Sequence, residues 1–117
     1  MHFLYLFTRQ AYGHSLAREA VDMALATAAF DQKISLVFLQ DAIFQLLTAK
    51  DATIIEAKPH SGIINALPLY DIEKIFYLKE DREARQLSQN SLVAHASEIS
   101  AAKLHELLRS ADRVQSF

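Results

Sequence analysis

The chain has 117 residues, of which 51% are hydrophobic and 22% are charged, and its formal net charge is −2. This length suits one domain spanning residues 1–117, because two cores would each have to form from fewer than about 60 residues. The apolar content excludes general disorder, and the lack of a basic excess argues against a free-standing nucleic-acid-binding protein. Since there is no cysteine, disulfides, thiolate metal sites and persulfide carriage by this chain are excluded.

No run reaches the roughly 18 apolar residues of a membrane span. The segment Met1–Phe7 lacks the basic lead-in of a signal peptide and has the pattern of a strand. We therefore expect a cytoplasmic protein with no membrane association.

Apolar runs alternate with helical patterns along the chain. Strands are predicted at Phe3–Thr8, Ile34–Leu39, Glu73–Leu78 and Leu92–Ala94, with an edge strand within Asp112–Phe117. Helices are predicted at Ser15–Phe30, Ala42–Leu47, within residues 79–89 around Ala84 and Leu87, and after Ser100. This alternation predicts an α/β fold, a three-layer α/β/α domain with a mostly parallel sheet of about five strands. The strand order does not follow from the sequence.

The last helix has the clearest boundary signals. Ser100 is the predicted N-cap, and Ile99 before it is expected to pack against Leu104. The apolar stripe of this helix is predicted to comprise Ala101, Leu104, Leu107, Leu108 and Ala111. Elsewhere, residues 51–61 are expected to be irregular, and a helical turn at residues 62–67 is expected to be disrupted by Pro68.

The helix Ala42–Leu47 is unusually apolar, because Gln45 is its only polar residue. Six residues cannot all face one core, so some of these side chains would be exposed in a monomer and would mark a partner site. Alternatively, the loop 48–61 folds over them. For the partner site we predict five interface residues: Ile43, Phe44, Leu47, Leu69 and Tyr70.

The chemical signals are sparse, and no cofactor, metal site or catalytic residue is predicted. The loop 9–15 has one glycine, which is too few for a phosphate cradle, although Arg9 and His14 could hold an anion there. Asp41 follows a buried strand and is interpreted as a helix cap rather than a general base. His95 could titrate near a strand end, but no histidines have metal-ligand spacing. The mixed charges of residues 79–83 indicate a solvated face.

Three segments together resemble the DsrE/DsrF-like sulfur-relay family. They are Leu39–Leu47 with the string D-x-x-F-Q-L-L, Leu69–Glu73 with L-Y-D-I-E, and the closing Asp112–Phe117. The likeness is closest to the TusC/DsrF-type subunit of the complex that makes 2-thiouridine in tRNA, and it covers nearly the whole chain.

The resemblance implies a cytoplasmic dimer of heterotrimers, built from B-type, C-type and D-type subunits, that relays persulfide sulfur to the tRNA wobble uridine. In the family the sulfur-carrying cysteine belongs to the D-type subunit, and the matching region here, Phe76–Lys79, has none. The implied role is a non-catalytic structural subunit with B-type and D-type partners. The alternatives are a subunit of a dissimilatory sulfur-oxidation relay, a small-molecule (anion) binding α/β domain, and an uncharacterised enzyme using Arg9, His14 or Asp41.

Overall fold

The computed structural model of the chain describes residues 2–8, 22, 26, 33–48, 67–70 and 72–117. Its described strands are β1 His2–Phe7, β2 Lys33–Phe38, β3 Lys74–Leu78, β4 Ala96–Ile99 and β5 Arg113–Ser116. They form one sheet in the order β4-β3-β2-β1-β5, and every neighbouring pair is parallel. The predicted α/β fold with a parallel sheet of about five strands is confirmed.

Helical segments follow or connect these strands. Of those whose bounds fall within the described residues, three are 3-10 helices, at Gln40–Leu46, Leu67–Tyr70 and Gln89–Ser91, and two are α-helices, α1 at Lys79–Ala84 and α2 at Ala101–Ser110. Asp22 and Ala26 are helical and exposed, which agrees with the helix predicted at Ser15–Phe30. The bounds of that helix, the loop 9–14 and the stretch 51–61 lie outside the described residues.

Apolar side chains cover both faces of the sheet, because alternate residues of a strand point to opposite faces. On one face, here called the main-core face, Phe7 stacks on Phe38 at a centroid distance of 4.6 Å, within the larger buried cluster. On the other face, here called the α2 face, Leu4 and Val37 pack with Leu107 of α2. The central strands therefore read as continuous apolar runs in the sequence.

After α2, the chain forms β5, which pairs with β1 at the edge of the sheet. The edge strand predicted within Asp112–Phe117 is therefore confirmed. All four residues of β5 are exposed, but Phe117 after it is held firmly. Its N–H donates to the Leu6 carbonyl at 2.8 Å, and its carbonyl accepts from the Thr8 amide at 3.0 Å. Its ring lies 5.8 Å from that of Tyr5 and 5.6 Å from that of Phe7. Phe117 thus closes the core at the edge of the sheet.

The start of α2 is as predicted. The Ser100 hydroxyl accepts a hydrogen bond from the Lys103 amide at 3.2 Å, so the N-cap is confirmed, and Ile99 and Leu104 belong to the same apolar cluster. The predicted stripe is partly wrong, because Ala101 and Leu108 are exposed. Only the side of the helix around Leu107 reaches the sheet.

The predicted fourth strand, Leu92–Ala94, is wrong. Leu92 makes only an isolated antiparallel bridge with Leu47, and the strand that pairs with β3 is Ala96–Ile99. The apolar run misled the prediction because Leu92 and Val93 are buried in the main core. The actual edge strand, Ala96–Ile99, has one buried residue, Ile99, and its sequence therefore lacks an apolar run.

One other boundary differs from expectation. Helix α1 ends at Ala84, which is exposed, and the half-buried Leu87 lies beyond it. Pro68 lies inside the 3-10 helix Leu67–Tyr70, and the expectation that it disrupts a turn at residues 62–67 stays a prediction. Proline is tolerated in a first helical turn because its missing N–H would be unpaired there. Residues 62–66 of the predicted turn lie outside the described residues.

Candidate functional site

The candidate site is the carboxyl edge of β2 and β3, where ligands and partners of open parallel sheets usually bind. Here the chain leaves β2 through Leu39 and turns at Gln40, whose φ is +52°. This left-handed backbone conformation is unfavourable for a residue with a Cβ atom. The Gln40 N–H donates to the Asp81 carboxylate at 2.8 Å, so α1 holds the strained residue in place.

A charged cluster at this edge connects α1 to the start of the 3-10 helix Gln40–Leu46. The Arg85 guanidinium donates to Oδ1 of Asp41 from Nε at 3.1 Å and from Nη2 at 3.0 Å. Its Nη1 donates to the Asp81 carbonyl at 3.2 Å. These contacts join two segments that are 44 residues apart in sequence. The predicted helix cap by Asp41 is wrong, because Leu39 occupies the N-cap position without a side-chain bond.

A second charged pair fixes the far side of α1 to β4. Arg82 Nε donates to Glu98 Oε1 at 2.5 Å, and both side chains are largely shielded from solvent. Gln89 donates to the other Glu98 oxygen at 3.2 Å. The hydrogen bond to Glu98 raises the pKa of Arg82, so the guanidinium stays charged. The prediction of a wholly solvated charge run is therefore correct for Lys79, Glu80 and Glu83 but wrong for Asp81 and Arg82.

The apolar side chains of the 3-10 helix Gln40–Leu46 pack mainly into the chain's own core. Ile43 has 0% and Leu47 5% of its surface exposed, and Gln45 is also buried. The chain covers them with the segment 91–93, since the Val93 N–H donates to the Leu46 carbonyl at 2.8 Å and the Thr48 N–H to the Ser91 carbonyl at 2.9 Å. The expectation that Ile43 and Leu47 would be exposed in a monomer is wrong, because this antiparallel pairing closes over the helix.

The other predicted interface residues differ from these two. Phe44 is half-buried and packs against the edge of the main core. Leu69 is 84% exposed, and the turn that carries it is anchored by the buried Leu67 and Ile72, whose backbones bond at 3.2 Å. The side chain of Tyr70 lies outside the described residues. Whether any of the five predicted residues contacts a partner stays a prediction.

The carboxyl end of β3 is the region matched to the family's sulfur-carrying position. Tyr77 points into the main core there and is 4% exposed, while Phe76 and Leu78 lie half-buried on the α2 face. Burial, with the nearby Glu98 carboxylate, raises the pKa of the Tyr77 phenol. The phenol is therefore neutral at physiological pH.

Among the described residues, the remaining chemical candidates Asp41 and His95 are not brought together by the fold. Asp41 is engaged by Arg85 at the exposed edge, while His95 is half-buried just before β4, at the opposite end of the sheet. His105 is exposed on α2. Arg9 and His14 lie outside the described residues. Within residues 2–8, 33–48, 67–70 and 72–117, no group of three or more histidine, aspartate or glutamate side chains could hold a metal ion. No helix in the described part of the chain could cross a membrane.

Comparison with known proteins agrees with this architecture. The chain belongs to the DsrE/DsrF-like family, whose family model matches residues 1–117, and the resemblance stated from the sequence is confirmed. It is 34% identical to the "Protein TusC homolog" of Vibrio parahaemolyticus, over 97% of this chain and 96% of that protein. It is 33% identical to the "Intracellular sulfur oxidation protein DsrF" of Allochromatium vinosum, over 98% of this chain and 95% of that protein.

The fold comparison extends to a solved structure. The ychN protein from E. coli superposes on the chain with a TM-score of 0.80 and 18% sequence identity, and both chains are covered completely. This similarity concerns the fold alone.

The sequence reasoning missed the role of the charges at the carboxyl edge. Asp81 and Arg85 are four residues apart, a spacing that places them on one side of α1. From this spacing, the sequence could have predicted that Asp81 and Arg85 contact the same neighbouring segment. The partners Gln40 and Asp41 could not be found in that way, because they lie on another element about 40 residues earlier.

Proposed function

We propose that this chain is a structural, non-catalytic subunit of a cytoplasmic persulfide relay complex that supports 2-thiolation of the tRNA wobble uridine. The observation that carries the proposal is its near full-length similarity to a TusC homolog in a chain without cysteine. The proposed partners are related B-type and D-type subunits in a dimer of heterotrimers.

The lack of cysteine argues for the non-catalytic part of the proposal. Sulfur passes from a persulfide when a thiolate attacks it, and the accepting residue must itself carry a thiol. This chain can supply no thiolate. The region matched to the sulfur-carrying position also holds a core tyrosine, Tyr77, and leads directly into α1. Any sulfur transfer is therefore a property of the partner subunits.

Co-expression with the genes that neighbour this one tests the assembly. We expect the chain to co-purify with two related subunits, and sulfur-35 supplied as a persulfide to label a cysteine of a partner on a non-reducing gel. Covalent label on this chain would contradict the non-catalytic assignment. Recovery as a stable monomer that binds only a small anion would contradict the relay assignment.

The substrate is tested in the native organism. Deletion of the gene is expected to lower the 2-thiouridine content of digested tRNA, measured by mass spectrometry, and the plasmid-borne gene is expected to restore it. Unchanged 2-thiouridine in the deletion strain would overturn the tRNA proposal.

The second candidate is a relay that serves sulfur oxidation, and the similarity to DsrF of Allochromatium vinosum supports it. In that case the deletion would leave tRNA thiolation intact and would instead slow the oxidation of stored or supplied reduced sulfur. Measuring both quantities in the same deletion strain separates the two candidates.

A further inference from the structure

Three basic side chains lie together at the amino end of the sheet, on the α2 face and away from the candidate site. His2, Lys33 and Lys74 are the first residues of β1, β2 and β3, three neighbouring strands. His2 is in register with Lys33, and Lys74 is in register with Ser35. Strand alternation puts all of these side chains on the face that carries Leu4 and Val37. His2 and Lys33 lie opposite each other on adjacent strands, about 4.8 Å apart. Lys74 lies one strand further across, opposite Ser35, so the three basic side chains share the amino end of this face.

The imidazole at the centre of this group is fixed by the sheet. His2 Nε2 lies 2.8 Å from the hydroxyl of Ser35, a residue with no exposed surface. The backbone N–H of His2 donates to the Asp112 carboxylate at 2.7 Å, and its carbonyl accepts from the Asp112 amide at 2.9 Å. The ring is thus held at a defined position beside the two lysines.

The positive charges of the group are only partly balanced. Among the ion pairs of the described residues, none involves Lys33 or Lys74, and both side chains are exposed. The pKa of His2 is lowered by burial first, then by Lys74, and further by Lys33 and the amino-terminal group, while Asp112 raises it. The two lysines therefore repel a proton on the imidazole electrostatically, and the carboxylate of Asp112 attracts it.

We propose that His2, Lys33 and Lys74 form a binding site for a tetrahedral oxyanion of the phosphate or sulfate class. The two ammonium groups supply charge and donors, as lysines do at other phosphate sites. An anion bound between them offsets the repulsion that disfavours the imidazolium, so His2 becomes a third charged donor when the anion is present. This site does not depend on the proposed relay function, since the relay region lies at the opposite end of the strands.

The test follows the His2 imidazole by NMR while inorganic phosphate is added at constant ionic strength, near the ordinary histidine pKa of about 6.5. We expect a saturable shift of the His2 signals and a rise of the His2 pKa. In the double variant K33Q/K74Q, binding should be at least about tenfold weaker, because both ammonium groups that supply charge and donors to the anion are lost. The matched control is K103Q, which removes an exposed lysine of α2 and should bind as the wild type does.

A linear shift without saturation, or an equal response of the wild type and the K33Q/K74Q variant, would overturn the proposal. Both lysines are exposed, so the variant should fold, and its amide spectrum checks this. A second titration with a short single-stranded RNA identifies the source of the phosphate. Saturation of the same His2 signal by RNA at lower phosphate concentration would indicate a polynucleotide, and response to inorganic phosphate alone would indicate a small anion.

Discussion

At the residue scale, two glutamines have the left-handed backbone conformation that normally favours glycine. Gln40 and Gln86 have φ values of +52° and +54°. At Gln40 the hydrogen bond from its N–H to the Asp81 carboxylate stabilises this unfavourable conformation. Gln86 follows α1 in a Schellman-type turn, since the Leu87 N–H returns to the Arg82 carbonyl at 3.1 Å and the Gln86 N–H to the Glu83 carbonyl at 3.1 Å. Its side chain is exposed, so the backbone bonds of the turn, rather than side-chain contacts, offset the strain there.

The first prediction is that Gln86→Gly stabilises the protein. Glycine has no Cβ atom, so it removes a conformational cost of about 1 kcal/mol at a helix C′ position. The free energy of unfolding, measured with urea, should rise by about that amount. Gln86→Ala is the control, because it removes the same side chain but keeps Cβ, and it should give no gain. Equal stabilities of the two variants would contradict the strain argument.

The second prediction concerns the pH dependence that His2 confers. Burial and the two lysines lower the pKa of His2 below its ordinary value of about 6.5. The unfolded chain therefore binds more protons than the folded chain between those two pKa values, and stability rises with pH there. The His2 contribution is complete above about pH 6.5 and is lost as the pH falls from there toward the lowered pKa.

Urea unfolding from about pH 7 to pH 5, in buffer without phosphate or sulfate, checks this sign. His2→Gln keeps an amide that can bond Ser35, and it should lose less stability on acidification than the wild type does. His105→Gln removes an exposed histidine of α2 and serves as the matched control. A wild-type decline that is unchanged in His2→Gln would show that other groups cause it.

At the element scale, β5 is held by the residue after it rather than by its own side chains. The strand pairs with β1 along one edge, and its residues are exposed. Phe117 supplies both backbone bonds to Leu6 and Thr8 and two aromatic contacts. The stability of this edge therefore depends on one aromatic ring beyond the strand.

The third prediction is that Phe117→Ala destabilises the protein by about 2 kcal/mol, somewhat less than the 3–5 kcal/mol of a fully buried phenylalanine because the ring is half-buried. Val114→Ala is the matched control in the same strand. Val114 is 48% exposed, and its loss should cost well below about 1 kcal/mol. Similar losses in the two variants would show that Phe117 does not anchor the edge.

At the scale of the whole molecule, residues of the chain's own core lie next to residues that we propose to contact partners. Ile43 is fully buried, whereas the neighbouring Phe44 is half-buried at the margin of the core. Leu69 extends from a well-anchored turn and is 84% exposed. Among the predicted interface residues whose side chains the structure describes, Phe44 and Leu69 therefore remain accessible to a partner.

The fourth prediction is that Phe44→Asp weakens co-purification with partner subunits and leaves the domain folded, because a charge buried unpaired in an interface is costly. Leu69→Asp should act in the same direction. Ile43→Ala is the contrasting variant and should lower the free energy of unfolding by about 2–5 kcal/mol. Circular dichroism reports folding and affinity purification reports association.

The outcomes of that experiment are distinct. Unfolding of Phe44→Asp would assign Phe44 to the core. Normal folding with undiminished partner binding by both aspartate variants would refute the interface at these residues.

The sequence by itself determined the elements whose signals are local. The buried strands β1, β2 and β3 follow from continuous apolar runs, and the start of α2 follows from the Ser100 cap. The missing cysteine excludes sulfur carriage without any structure. Family membership also followed from the sequence, since its motifs are strings of adjacent residues.

The tertiary structure decided whatever depends on contacts between distant segments. The strand order is visible only in the structure, where β5 pairs with β1 at the edge of the sheet. The position of β4 and the burial of Ile43 depended on which segment covers which face, and hydrophobicity alone did not distinguish a strand from a covering loop. The pairing of Arg85 with Asp41 and the electrostatic effect of Lys74 on His2 also depend on which distant segments the fold brings near each other. Side-chain interactions act through space, and the fold sets which distant residues become neighbours.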